Sequence, residues 1–285
     1  MSRSIHRRSL CKALATWAAW PAGTRAQPSA PLEIGVLPNI SARVLLTQYQ
    51  PLREYLARQL QQPVQVSTAP NWTVFHERTL ALEYDLVVTA ANLARLAQLD
   101  RGFQPLVSYA PAIKGLLICA GARPISAASE LRGRVLALSN PQSLVSLRGL
   151  QWLAEQGLQR ERDYKTLKTP TDDSVGSVVV RGDAVAALCS GGEFRAIPDA
   201  LRPQLQVVNT FAEVPGFVVL ASPKLTAAQA LAVKERLLQF AGSSEEGKAF
   251  FSSTGFAGMR EVTAALMASM DPYLAATRQV MAAPG

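Results

Sequence analysis

Residues 134–158 read RVLALSNPQSLVSLRGLQWLAEQGL, and this stretch decides the fold. Val135 to Leu138 is a short apolar run of strand formers. Ser139-Asn140-Pro141-Gln142-Ser143 supplies turn and capping chemistry, and Leu147, Leu150 and Leu153 then set a helical period. Asn140 or Ser143 can cap that helix, and Pro141 is tolerated because first-turn N–H groups have no partner inside the helix. A buried strand running into a helix N-terminus leaves free backbone N–H groups at the strand's carboxyl end. Open α/β sheets bind anions there. Ser139, Asn140, Ser143 and Ser146 are therefore candidate ligand contacts, although the same turn also serves without any ligand.

Length and charge narrow the classes. A chain of 285 residues with 48% apolar and 18% charged residues can bury the core of two modest domains or of one large one. The formal charge of +8 is unevenly placed, because residues 1–26 hold Arg3, Arg7, Arg8, Lys12 and Arg25 and no acidic residue. The other 24 basic residues face 21 acidic ones, a net of +3 with no Lys/Arg cluster interleaved with aromatics. Nucleic acid is not an expected partner.

The N-terminus reads as an export signal, with a basic start, a short apolar run from Ala13 to Gly23, and the small-x-small site Thr24-Arg25-Ala26. The run is too short, and too broken by Pro21, to span a bilayer. Arg7-Arg8-Ser9-Leu10-Cys11-Lys12 loosely matches a twin-arginine signal, and the general secretory route stays open beside it. A mature chain beginning near Gln27, in the periplasm, is expected. Cys119 and Cys189 then remain, each in an apolar strand-like run, and free buried thiols are the expectation.

Outward from the organising stretch the chain alternates strands and helices. Leu32–Leu37 is a strand, and Leu45, Tyr49, Leu52, Leu56 and Leu60 mark a helix face interrupted by Pro51. Strands follow at Pro63–Ser67, Asp85–Thr89 and Pro105–Ser108, separated by a helix capped by Asn71 and another over Ala91–Leu99. The pattern restarts with strands at Gly115–Ala120, Val135–Leu138, Tyr164–Thr169 and Ala184–Cys189, then Gln206–Thr210 and Gly216–Ala221. The remainder, from Thr226, reads as helical throughout. Such alternation predicts mostly parallel sheets covered by helices, in two successive α/β blocks.

Several segments in order carry a family pattern. They are Gly35-Val36-Leu37-Pro38, Pro51-Leu52-Arg53-Glu54-Tyr55-Leu56, Glu83-Tyr84-Asp85-Leu86 and Leu131-Arg132-Gly133-Arg134-Val135. Arg181-Gly182-Asp183-Ala184, Pro215-Gly216-Phe217 and Glu246-Gly247-Lys248-Ala249-Phe250-Phe251 complete the series. Together they resemble the phosphate/phosphite/phosphonate periplasmic binding proteins of ABC uptake systems, with the type II binding-protein fold. The resemblance implies two lobes, each a mostly parallel sheet flanked by helices. Residues 27–113 and 222–285 would form lobe one and 114–221 lobe two, joined by crossover strands near Lys114–Ala120 and Gly216–Ala221. A small anion would sit between the lobes of a monomer and pass to a membrane permease, without a cofactor or metal.

One departure concerns the ligand. The family's phosphonate binders carry Ser-Thr-Ser-Gly at the start of the lobe-two helix, and here the matching residues are Ser143-Leu144-Val145-Ser146. Two hydroxyl donors are lost, at about 1–3 kcal/mol each for oxyanion lone pairs left unsatisfied. A carboxylate or sulfonate suits such a turn better than a phosphonate.

Other candidate contacts follow the remaining strands: Asn39 and Ser41 after the first, Thr89 and Asn92 after the third. Asp173 and Ser174 open a lobe-two helix, where acidic caps are also favoured without a ligand. Ser190-Gly191-Gly192 reads as a turn, and Gly191-Gly192-Glu193-Phe194 matches a diguanylate cyclase tetrapeptide without its domain context. The mature chain has one histidine, His76, expected on a helix surface, so His-based catalysis is not expected. The sequence reads as an extracytoplasmic solute-binding protein. A ligand-sensing partner of a membrane histidine kinase and an enzyme on the same fold are the alternatives.

Overall fold

The computed structural model describes residues 30–169 and 174–282; the N-terminal stretch expected to direct export and the candidate contact Asp173 lie outside them. The described residues form two sheets. Sheet one has six strands in the order β11-β4-β10-β3-β1-β2, and sheet two has five in the order β7-β6-β8-β5-β9. In sheet one, β1 (Leu32–Val36), β2 (Val64–Ser67) and β3 (Leu86–Thr89) are parallel. The strands β4 (Gln104–Ala110), β10 (Val218–Ala221) and β11 (Gly258–Glu261) run antiparallel to their neighbours. In sheet two, β6 (Val135–Leu138), β7 (Lys165–Lys168) and β8 (Ala186–Ser190) are parallel, while β5 (Ile113–Ala120) and β9 (Leu205–Val214) are antiparallel partners.

The division between lobes differs from the sequence expectation. Val218–Ala221 pairs with β3 and β4, so it belongs to sheet one, not lobe two. The chain crosses in two short links, between Ala110 and Ile113 and between Val214 and Val218. These lie side by side, with the Tyr109 amide donating to the Phe217 carbonyl at 2.8 Å. A Cβ at Gly216 would sit 2.3 Å from the Tyr109 carbonyl oxygen, so only glycine lets the links approach this closely. The tail is not helical throughout either. β11 adds an edge strand before α9 (Ala264–Ala268) and α10 (Leu274–Ala282).

Three apolar clusters hold the layers. On one face of sheet one, α1 (Ala42–Leu60), α7 (Ala227–Ser243) and α8 (Glu245–Thr254) enclose Ile34, Val88, Val107 and the Phe240–Phe250–Phe251 aromatics. Pro51 lies inside α1 without ending it. A second cluster lies between α5 (Val175–Arg181) and sheet two. The third is continuous across both lobes. It joins Leu37, Val87, Ala91 and Val218 of lobe one to Leu117, Leu138, Leu144 and Val145 of lobe two. The lobes are therefore closed on each other through α2 (Trp72–Leu80), α3 (Ala91–Arg101) and α4 (Leu144–Glu155). Gly149 brings α4 close to its sheet, since a Cβ there would lie 2.7 Å from Leu188 and 2.9 Å from Phe211.

Candidate functional site

The strand ends place the candidate residues. Val218, the first residue of β10 after its crossover link, pairs with Thr89 on one side and Ser108 on the other. Directly paired residues share a sheet face, so the two hydroxyls flank Val218 on the edge of sheet one nearest lobe two. In sheet two Ser190 pairs with Gly115, two residues past the start of β5, so the carboxyl ends of β8 and its neighbour β6 face lobe one. The β6–α4 turn and the β3–α3 turn thus belong to the facing edges of the two lobes.

On the lobe-two side Ser143, not Asn140, caps α4: its Oγ accepts the Ser146 amide at 3.1 Å. Asn140 builds the turn, accepting the Gln142 amide on Oδ1 at 2.9 Å and the Ser143 amide on its carbonyl. First-turn amides of Leu144 and Val145 have no acceptor inside the helix, and the helix dipole adds partial positive charge there. Ser146, in the same turn, is fully buried, and its Oγ has no hydrogen-bond partner. A buried hydroxyl left unpaired costs about 1–3 kcal/mol, which a ligand oxygen at this turn would offset. Leu144 and Val145, where family hydroxyls are expected, are buried in the cluster that spans both lobes.

Lobe one offers a second helix start. Ala90 at the head of α3 has no side chain able to cap it, so the first amides of α3 are uncapped. Around it Thr89 Oγ1, Asn92 Oδ1 and Ser108 Oγ are buried and unpartnered. Asn92 also donates from Nδ2 to Thr277 Oγ1 at 3.1 Å, which ties α3 to α10. Ser108 had no signal in the sequence, because a serine inside an apolar strand reads as ordinary alternation.

The other candidates separate. Asn39 is half-buried, and its amide donates to the Leu37 carbonyl. Ser41 is exposed at the head of α1 and makes no side-chain cap. Ser174 opens α5, with its carbonyl accepting from Ser177 Oγ at 2.8 Å. Ser139 is buried, yet its hydroxyl is engaged: Oγ donates to Glu193 Oε2 at 2.9 Å. Glu193 lies in α6 (Gly191–Ala196), a short helix where the sequence pattern alone suggests a turn. Its Oε2 also accepts the Ser190 amide at 2.5 Å, while Ser190 Oγ accepts the Glu193 amide, a reciprocal capping box. Burial of this carboxylate outweighs those hydrogen bonds and raises its pKa above the ordinary glutamate value.

His76 corrects a further expectation. It is buried in α2, and desolvation lowers its pKa to about 4. Cys119 and Cys189 are buried and unbridged. Among the described residues no group of three or more His, Cys, Asp or Glu side chains could hold a metal ion, and no helix is long and apolar enough to cross a membrane.

The model of the ABC transporter phosphonate periplasmic substrate-binding proteins matches residues 34–267. No curated protein sequence matches the chain. Among solved structures, XAC2383 from Xanthomonas citri bound to chloride ion is 20% identical, with TM-score 0.75 over 87% of this chain and 98% of that one. PhnD1 from Prochlorococcus marinus in complex with methylphosphonate is 14% identical, with TM-score 0.76 over 87% and 97%. The periplasmic aliphatic sulphonate binding protein SsuA from Escherichia coli is 15% identical, with TM-score 0.63 over 90% and 94%. At these identities the structures establish the type II periplasmic binding-protein fold, and the match over residues 34–267 establishes the rest: the chain belongs to the phosphonate periplasmic substrate-binding family of ABC transporters.

Proposed function

We propose that this protein captures a small oxyanion carrying an apolar substituent, an alkylsulfonate or a singly charged alkylphosphonate, and delivers it to an ABC permease. The observation that carries this reading is the pair of facing helix starts. Ser146 Oγ on α4 and Thr89 Oγ1 and Asn92 Oδ1 beside α3 are buried polar atoms without partners, each next to first-turn amides that favour negative charge. Leu144 and Val145 supply apolar surface where more hydroxyls would suit a bare phosphate. Chloride, methylphosphonate and sulphonates on structural neighbours support the anion class. The N-terminal segment directs export, and the mature chain acts as a periplasmic monomer whose two lobes close by hinge motion at the crossover links.

The test is a thermal-shift panel on the mature chain from Gln27, with methanesulfonate, methylphosphonate, phosphate, acetate and chloride, followed by calorimetry on the best ligand. A stabilising anion at 100 times its Kd adds about 2.7 kcal/mol, a clear rise in Tm. The expected order places methanesulfonate and methylphosphonate above phosphate. No shift with any anion would refute the reading.

A further inference from the structure

We propose that Val218 reads the substituent of the bound oxyanion: Thr89 Oγ1 and Ser108 Oγ hold two of its oxygens from either side, and the Val218 side chain between them accepts an alkyl group and offers nothing to a further oxygen. This deepens the anion-capture reading above and rests on it. The register of sheet one carries the inference. Val218 of β10 lies directly opposite Thr89 of β3 and directly opposite Ser108 of β4, so the three side chains stand in one row on one face. Val87 and Val218 place that face in the apolar cluster shared with lobe two. Thr89 is 2% exposed and Ser108 0%, and neither hydroxyl has a hydrogen-bond partner. Residues two strands apart stand about 10 Å from each other, and an anion head hydrogen-bonded at about 2.7 Å on each side spans most of that distance.

Packing alone does not call for this row. The next row of the same three strands, Val88, Val219 and Val107, is wholly apolar, and so is the following one, Val87, Leu220 and Pro105. A buried hydroxyl without a partner is costly, and an oxyanion oxygen accepting from it removes that cost. Val218 has no such group to offer. A ligand oxygen pressed on its methyl groups gives up water for nothing, whereas an alkyl substituent leaves water favourably. The row continues into Arg260 of β11, the direct partner of Ser108, which is exposed and makes no ion pair among the described residues. The adjacent Glu261 is held by Lys234 at 2.8 Å. The Arg260 charge at the end of the row therefore favours an anion over a neutral ligand.

Calorimetry on the mature protein decides the matter, comparing methylphosphonate with phosphate at one pH near neutrality. The two carry nearly the same charge there and differ by a methyl group in place of a hydroxyl. Wild type should bind methylphosphonate more tightly by about tenfold or more. Val218→Thr keeps the shape, adds a hydroxyl at the centre of the row, and should shift the ratio of the two Kd values toward phosphate by about tenfold. Ser108→Ala removes an unpaired hydroxyl, so it should melt no lower than wild type, yet it should weaken both ligands by about tenfold with their ratio unchanged. If Val218→Thr does not fold, the wild-type ratio and Ser108→Ala decide. Wild type that binds the two equally, prefers phosphate, or takes another anion but neither of these would overturn the assignment and leave anion capture standing. A wild-type ratio in Val218→Thr, or full affinity in Ser108→Ala, would do the same. Failure of every anion to bind wild type would overturn both.

Discussion

Gln142 Nε2, in lobe two, donates to Thr73 Oγ1 in lobe one at 3.0 Å, and the same amide reaches the Val280 carbonyl of α10 at 3.5 Å. One side chain on the β6–α4 turn thus links that turn to two helices of the opposite lobe. Gln142→Ala should leave the fold of each lobe intact and loosen closure. A lost neutral hydrogen bond is worth about 0.5–1.5 kcal/mol, so affinity for the best anion should fall about three- to tenfold. Small-angle scattering of the ligand-free variant should show a larger radius of gyration than wild type. Unchanged affinity and radius would mean that closure does not use this link.

The Leu144-Val145 pair gives a second prediction. Restoring the family hydroxyls by Leu144→Thr with Val145→Ser places two polar groups in a cluster continuous across both lobes. Stability in urea should drop by about 1–3 kcal/mol per site, from lost apolar burial and the cost of enclosing hydroxyls. Ser143→Ala, which removes only the α4 cap, should cost about 1 kcal/mol. A double variant as stable as wild type would show that these side chains do not pack as described.

The buried His76 makes stability depend on pH. Its folded pKa is about 4, below the ordinary 6.5, so the folded state resists a proton that the unfolded chain takes up readily. Its contribution is present above about pH 6.5 and is lost as pH falls toward about 4, roughly 2 kcal/mol of it between about pH 7 and about pH 5. Glu193 acts in the opposite sense, because a raised carboxyl pKa favours the folded state at low pH and loses that advantage as pH rises. The comparison is therefore between wild type and His76→Gln, whose urea midpoint should fall less across this window. Equal slopes in the two proteins would exclude the histidine as the cause.

Much of this molecule is legible along the chain because the signals are local. Strand patterns, Asn71 capping α2 through the Val74 amide at 2.9 Å, Thr226 capping α7 and Ser143 capping α4 all depend on residues within four positions. The family pattern adds the two-lobed plan. The place of Val218–Ala221 in sheet one has a physical cause as well: an apolar run shows that a segment is a strand, not which sheet it joins. The edge strand β11 was hidden for a related reason, because its half-exposed residues gain strand geometry only by pairing with β4.

The sequence by itself determined most strands and helices up to β8, the capped helix after β6 and the apolar Leu144-Val145 step, since each is set by side-chain chemistry over a few residues. Only the tertiary structure decided what those residues meet. It brought Glu193 to Ser139 across 54 residues, buried His76, and set Thr89 and Ser108 on either side of Val218. Such contacts arise from sheet register and lobe closure, and no pattern within one element can encode which distant polar atom will lie opposite another, or be left unpaired.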